Sequence, residues 1–370
     1  MDGRRFAWCL LVALGLVGCG SDEAYENAER VGFDATARAE LSAVGVDKYM
    51  GQFSPETVED ENGITVYTFA PDDDGPTCLY GDPFRVTVRD TDSKDLMIYL
   101  QGGGACWSQK CAANKTAGAG IQPIGWTNAD PDFNPVFFDY DVVFVAYCDG
   151  SVFSGDNVVK KPDGSIERRH RGLANLSAAL DIALERFPDP ERIVLAGSSA
   201  GGYGTILGTA ATRMAYPKTP LFVINDAGIG LTNPADPSIV EAATTEWKFT
   251  QFVPPSCEGC VESGQFTSFI GWGLEHDPSL RVSAFSSYQD GIIGGVFLNM
   301  DGPDFQSLLL SETDSIHQRF PERFERFFID GGAHTAILAG YSGLSVNGEN
   351  LMDWSRAMIE KTPEWRDQLQ

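Results

Sequence analysis

The stretch Arg192-Ile193-Val194-Leu195-Ala196-Gly197-Ser198-Ser199-Ala200-Gly201-Gly202 reads as an apolar strand that turns sharply into a helix. Its G-x-S-x-G centre leaves only small residues around Ser199. A strand-to-helix turn that tight has room for nothing larger. It lifts the central hydroxyl above the edge of a sheet and leaves the next backbone N–H, that of Ala200, free to bind an oxyanion. Gly/Ser-rich turns produce the same pattern by chance. Its weight therefore comes from the strand before it, the helix after it and suitable partners downstream.

Around this turn the chain alternates strands and helices. Ile64–Ala70, Phe84–Asp90 and Asp95–Gln101 have strand character. Asp141–Tyr147 is an unbroken β-branched and aromatic run, as expected of a strand buried on both faces. Helical periodicity over Gly172–Phe187 stops at Pro188, the strand Ile193–Ala196 follows, and a helix runs from the turn to about Met214. Leu221–Asn225, Val282–Ser286 and Phe327–Asp330 read as further strands, with helices over Ser315–Arg326 and Asp353–Lys361. This order predicts an α/β-hydrolase-type, mainly parallel sheet with helices on both faces. Residues 61–370 would form that domain, and 228–275, mixed helix and loop, a cap-like insertion over the site.

The first residues carry a different message. Arg4 and Arg5 precede an apolar run from Phe6 to Val17, which ends in Leu16-Val17-Gly18-Cys19. The run is short for a membrane span. It reads as a lipoprotein signal peptide over 1–18, with Cys19 as the acylated first residue of an exported protein, lipid-anchored in a bacterial cell envelope. Residues 19–60 would be a tether and helical lead-in. The chain has a formal charge of −25, and residues 1–18 hold one acid against two bases, so the remainder is one charge more negative. Nucleic acid is excluded as a natural partner, and polyanionic substrates meet repulsion. The one basic cluster, Lys160-Lys161 with Arg168-Arg169-His170-Arg171, reads either as a solvated loop or as a binding patch.

A serine hydroxyl needs a base, and the base an orienting carboxylate, in the chain order Ser, Asp/Glu, His. His276, His317 and His334 follow Ser199. His334 lies on a glycine turn directly after a strand, where a catalytic histidine belongs; His276 sits in a turn and His317 in a polar helical stretch. For the acid, Asp290 follows the strand Val282–Ser286, Asp226 ends the strand after the nucleophile helix, and Asp330 is only four residues from His334. Asp290 ranks first, with Asp226 as its rival. The strand leading into Gln101-Gly102-Gly103-Gly104-Ala105-Cys106-Trp107 supplies a glycine run whose N–H groups can turn inward as the second half of an oxyanion hole.

Beyond Cys9 and Cys19, six cysteines remain, an even number that in an exported chain points to disulfides, with fifteen pairings open. Cys106–Cys111 and Cys257–Cys260 are sequence neighbours. Without a second C-x-x-C, the latter pair reads as a local disulfide and not as a metal knuckle.

Gln101–Ser108, then Tyr147-Cys148-Asp149-Gly150-Ser151-Val152-Phe153-Ser154-Gly155-Asp156, then His170-Arg171-Gly172, Gly197–Gly202 and Asp226-Ala227-Gly228 together resemble the pectin acetylesterase/Notum family of carboxylic-ester hydrolases, over roughly residues 64–340. The resemblance implies an α/β-hydrolase fold without a cofactor or metal. It implies Ser199, Asp290 and His334 as a triad, and an oxyanion hole from the backbones of Gly103, Gly104 and Ala200. It also suggests the long disulfide Cys78–Cys148. The expected function is a serine esterase working through an acyl-enzyme, with an acetyl ester on a glycan as the favoured substrate. A lipase-like or polyester-cleaving hydrolase is the second reading and a catalytically silent surface-binding lipoprotein the third.

Overall fold

The computed structural model describes residues 32–260 and 264–370. The signal-peptide and Cys19 expectations lie outside the described residues. The chain opens with α1 (Ala35–Ala43) and β1–β4 (Thr57–Glu61, Ile64–Phe69, Phe84–Arg89, Asp95–Leu100). A hairpin β5–β6 (Gly104–Trp107, Lys110–Ala113), β7 (Asp141–Val145) and a second hairpin β8–β9 (Asn157–Lys160, Ile166–His170) follow. Then come α2 (Gly172–Arg186), β10 (Arg192–Ser198), α3 (Ala200–Ala215), β11 (Leu221–Asp226), α4 (Ser238–Trp247) and α5 (Thr267–His276). The last part comprises β12 (Arg281–Ser287), α6 (Gly302–Arg319), β13 (Phe324–Ile329), α7 (Thr335–Ala339), the two-residue strands β14 and β15 (Ser345–Val346, Glu349–Asn350), α8 (Leu351–Glu360) and β16 (Gln368–Leu369).

Ten strands form one sheet in the order β1-β2-β3-β7-β4-β10-β11-β12-β13-β16. The strands from β7 to β16 are parallel, and β1, β2 and β3 add an antiparallel edge. Every residue of β7, β11 and β13 is buried, so both faces of the sheet are covered. The outermost strand β1, Thr-Val-Glu-Asp-Glu, is exposed throughout, and its acids discourage pairing with another chain. The described part of residues 19–60 is docked: Phe33, Ala37 and Leu41 sit in the main core.

Most expected elements are present within a residue or two. The helix expected over Ser315–Arg326 is instead α6, which starts thirteen residues earlier and ends at Arg319. Asp301 caps its start by accepting the Asp304 N–H, and Phe305, Leu309, Thr313 and Ile316 bury one face. Pro321 stops it, because a residue before proline is driven out of helical geometry. The chain then re-enters the sheet as β13.

The motif Tyr147–Asp156 folds into a tight loop between β7 and β8. Cys148 is disulfide-bonded to Cys78. Asp149 Oδ1 accepts the Ser151 N–H at 2.7 Å, and the Gly150 carbonyl accepts the Cys106 N–H at 2.8 Å. Gly150 has φ +69°, and a Cβ there would sit 2.9 Å from Cys106 Cβ. The loop thus presses on β5, and through β5 on the glycine run.

Candidate active site

Ser199 follows the C-terminal end of β10 and adopts φ 57°, ψ −118°, a conformation L-residues rarely hold. The flanking glycines are compulsory. A Cβ on Gly197 would lie 2.2 Å from the Gly201 carbonyl oxygen, and one on Gly201 would lie 1.9 Å from that of Leu100. The Ser199 N–H donates to the Asp226 carbonyl at 2.8 Å, which ties the turn to β11.

His334 and Asp290 follow the same ends of β13 and β12. Their loops are stitched together by N–H donation from Gln289 to Gly331 O at 2.9 Å and from Gly291 to Gly332 O at 3.2 Å. Asp290 Oδ2 lies 2.8 Å from His334 Nδ1, and His334 Nε2 lies 2.8 Å from Ser199 Oγ. Because a carboxylate accepts at Nδ1, that nitrogen carries the proton and Nε2 is free to accept from the serine. The other oxygen of Asp290 accepts the N–H groups of Ile292 and Ile293, both at 2.9 Å, so the buried carboxylate has one orientation.

Asp226, the rival acid, is fully buried and does not touch the imidazole. Its Oδ2 accepts from Ser198 Oγ at 2.6 Å and from Trp126 Nε1 at 3.3 Å, while Oδ1 accepts the Ala336 N–H at 2.8 Å. Burial pushes its carboxyl up, against these hydrogen bonds. It therefore clamps the turn carrying Ser199 to the helix that follows His334. Asp330 is exposed, with its N–H on Gln370. His276 pairs with Asp34 at 2.8 Å, and His317 Nδ1 donates to the Phe324 carbonyl at 2.9 Å; neither approaches Ser199.

Gly104 and Ala200 line a cleft beside Ser199. Gly103 adjoins it, with its carbonyl taking the Asn114 N–H at 2.8 Å, and a Cβ on Gly102 would lie 3.2 Å from the Ser199 Cβ. Ala200 is the first residue of α3 and so has no helical carbonyl behind it to bond. The cleft is walled by aromatic and aliphatic side chains, among them Trp107, Tyr203, Ile206, Trp247, Phe249, Phe266, Ile293 and Phe297. Five of its residues, Ile239, Val240, Ala243, Thr244 and Trp247, belong to α4. Sequence reading passed over these walls, although Ile239, Ala243 and Trp247 recur at the four-residue spacing of one helical face.

The basic cluster divides: Lys160 and Lys161 are exposed where the β8–β9 hairpin turns, whereas the run from Arg168 to Arg171 is paired with acids. Arg168 and His170 pair with Glu246 at 3.1 and 3.0 Å, Arg169 with Asp73 at 2.6 Å, and Arg171 with Asp156. Arg168 also pairs with the adjacent Glu167 at 2.7 Å, while Glu246 lies 78 residues beyond it in sequence. Six cysteines pair as Cys78–Cys148, Cys106–Cys111 and Cys257–Cys260. The cluster His317, Glu325 and Asp367 has metal-like composition. His317 is engaged by a carbonyl and Asp367 by Arg326 at 3.1 Å, while Glu325, whose carboxyl burial pushes up, keeps Oε2 without a hydrogen-bond partner.

A strand–turn–helix serine, an acid and a histidine after successive strands, and a glycine run beside them define an α/β-hydrolase-type protein. The profile of the pectinacetylesterase family matches residues 65–256, and the chain belongs to that family. It is 30% identical over 140 residues to pectin acetylesterase 4 of Arabidopsis thaliana, covering 34% of this chain and 33% of the relative. Pectin acetylesterase 5 of the same plant is 29% identical, over 38% of this chain and 36% of the relative. Palmitoleoyl-protein carboxylesterase NOTUM of Mus musculus is 22% identical, over 56% of this chain and 46% of the relative. The chain thus spans a third to a half of the length of these relatives.

Proposed function

We propose that this protein hydrolyses carboxylic esters through an acyl-enzyme formed on Ser199. The observation that carries the reading is the continuous chain Ser199 Oγ–His334 Nε2 and His334 Nδ1–Asp290 Oδ2, each link 2.8 Å, at the wall of an apolar cleft. Ser199 Oγ attacks the ester carbonyl as its proton passes to His334 Nε2. Asp290 holds the ring and stabilises the imidazolium, while the N–H groups of Gly103, Gly104 and Ala200 receive the oxyanion. His334 returns the proton to the departing alcohol. Water then repeats the sequence and releases the acid.

Two substrate readings differ in what the cleft must hold. Kinship with pectin acetylesterases supports an acetyl ester on a glycan. The aromatic and aliphatic walls of the cleft beside Ser199 support an aliphatic acyl chain longer than acetyl, and this is the reading favoured here. The charge of −25 speaks for neutral carriers over polyuronates. Three disulfides suit an oxidising compartment and support export, with Cys19 as the lipidated residue that holds the protein on a bacterial cell envelope.

A fluorophosphonate probe and a series of nitrophenyl esters from acetate upward test the proposal. Labelling that is lost in Ser199→Ala, with kcat/KM rising beyond acetate, is the expected result. Maximal turnover on acetate would return the acetyl-glycan reading. No turnover on any ester would remove the hydrolase reading altogether.

A further inference from the structure

Glu246 stands at the end of α4 with its side chain 13% exposed, and it plays no part in the chemistry above. It is the meeting point of three other elements. From the β5–β6 turn, Ser108 donates its N–H to Oε2 at 2.9 Å and its hydroxyl to the same oxygen. From β9, Arg168 Nε and His170 Nε2 approach Oε1 at 3.1 and 3.0 Å, and Arg168 Nη2 also reaches Ser108 Oγ at 2.8 Å. From β8, Asn157 Nδ2 donates to the Glu246 carbonyl at 2.6 Å. Burial alone would raise this carboxyl. The His170 and Ser108 hydrogen bonds and the Arg168 charge outweigh burial and hold it at about 2.

The neighbouring residue is what gives this junction a consequence. Trp247 Nε1 donates to the Cys106 carbonyl at 2.8 Å, and its ring meets Trp107 edge-on at 6.3 Å between centroids. Both indoles wall the cleft, and Trp107 shares β5 with Gly104. The carboxylate therefore locks the helix that forms one wall of the cleft to the hairpin that carries the glycine run.

We propose that Glu246 is a positioning residue that sets acyl-chain selectivity, by fixing Trp247 and α4 against β5. The inference rests on the ester-hydrolase reading. A short acyl group needs only the space next to Ser199, Gly104 and Ala200. A longer chain must also contact the α4 wall, so it alone depends on where that wall stands.

The test compares kcat/KM for nitrophenyl octanoate and nitrophenyl acetate in the wild type, Glu246→Gln, Glu246→Ala, Trp247→Ala and Glu246→Ala/Trp247→Ala, with thermal midpoints for each. The octanoate-to-acetate ratio should fall about tenfold or more in Glu246→Ala, mainly through KM for octanoate. Glu246→Gln keeps an acceptor for Ser108 but lacks the charge, and should fall between. The double variant should change the ratio no more than Trp247→Ala does alone, since both act on one wall. A lowered thermal midpoint with an unchanged ratio in both Glu246 variants would overturn the proposal as a purely structural clasp. If the wild type labels at Ser199 and cleaves both esters while the ratio stays fixed, this inference fails and the hydrolase reading survives. If the wild type cleaves neither ester, both fail.

Discussion

Asp290→Asn isolates the acid with little disturbance, because the structure dictates how the new amide must sit. Oδ1 of Asp290 accepts two backbone N–H groups, from Ile292 and Ile293. The amide oxygen of the variant will keep that place, since turning the NH₂ toward two donors would leave both unpaired. The NH₂ must then face His334 Nδ1, now 2.8 Å from Oδ2. A donor there forces Nδ1 to accept and puts the ring proton on Nε2, which can no longer take a proton from Ser199. The variant should fold, with a thermal midpoint near the wild type, and lose about 10⁴-fold in kcat, or ~5.5 kcal/mol of transition-state stabilisation. Asp226→Asn makes the complementary case. Its Oδ2 serves Ser198 and Trp126, and its Oδ1 the Ala336 N–H, so an amide leaves at least one buried donor opposed. That should cost about 1–3 kcal/mol of stability and much less turnover. Steady-state kinetics on one ester with thermal midpoints for both variants decide the matter. Near-native turnover in Asp290→Asn beside a folded, inactive Asp226→Asn would refute the reasoning and make Asp226 the acid.

Two further outcomes follow from particular contacts. Gly201→Ala places a methyl 1.9 Å from the Leu100 carbonyl oxygen, so β4 and the elbow must separate; a loss of about 3 kcal/mol in denaturant unfolding is expected together with reduced kcat, and a neutral result would contradict the packing described. Glu246 is held at about 2 against an ordinary 4.5, so its contribution is complete above pH 4.5 and is lost as the pH falls toward 2. The stability difference between wild type and Glu246→Gln should shrink by about 3 kcal/mol across that window and stay flat above it, as unfolding at a series of pH values would show.

Much of the frame was legible because its signals are local. The apolar run Val142–Val145 reads as a strand covered on both faces, and Gly197–Gly201, between a strand and a helix, as the turn that joins them. His334 was legible for the same reason, as a histidine on a glycine turn behind a strand. Where a local rule was overlooked, at Pro321, the helix was misplaced.

Other properties were decided by the tertiary structure, since they depend on groups that meet only when the sheet is assembled. Asp226 and Asp290 each end or follow a strand in the same sheet; chain order and the family resemblance put Asp290 first but leave Asp226 as a rival. The hydrogen bonds between the loops after β12 and β13 set Asp290 against the imidazole, whereas Asp226 is taken up by Ser198, Trp126 and Ala336. The joint pairing of Arg168 and His170 with Glu246 was not legible, because Glu246 lies 78 residues beyond Arg168. The cleft depends on the same long-range closure: its walls come from β5, α3, α4 and the segment after Asp290, each apolar for its own local reason. Periodicity reports which face of an element is apolar. Only packing determines whether that face meets the core or, as along α4, lines a space beside Ser199.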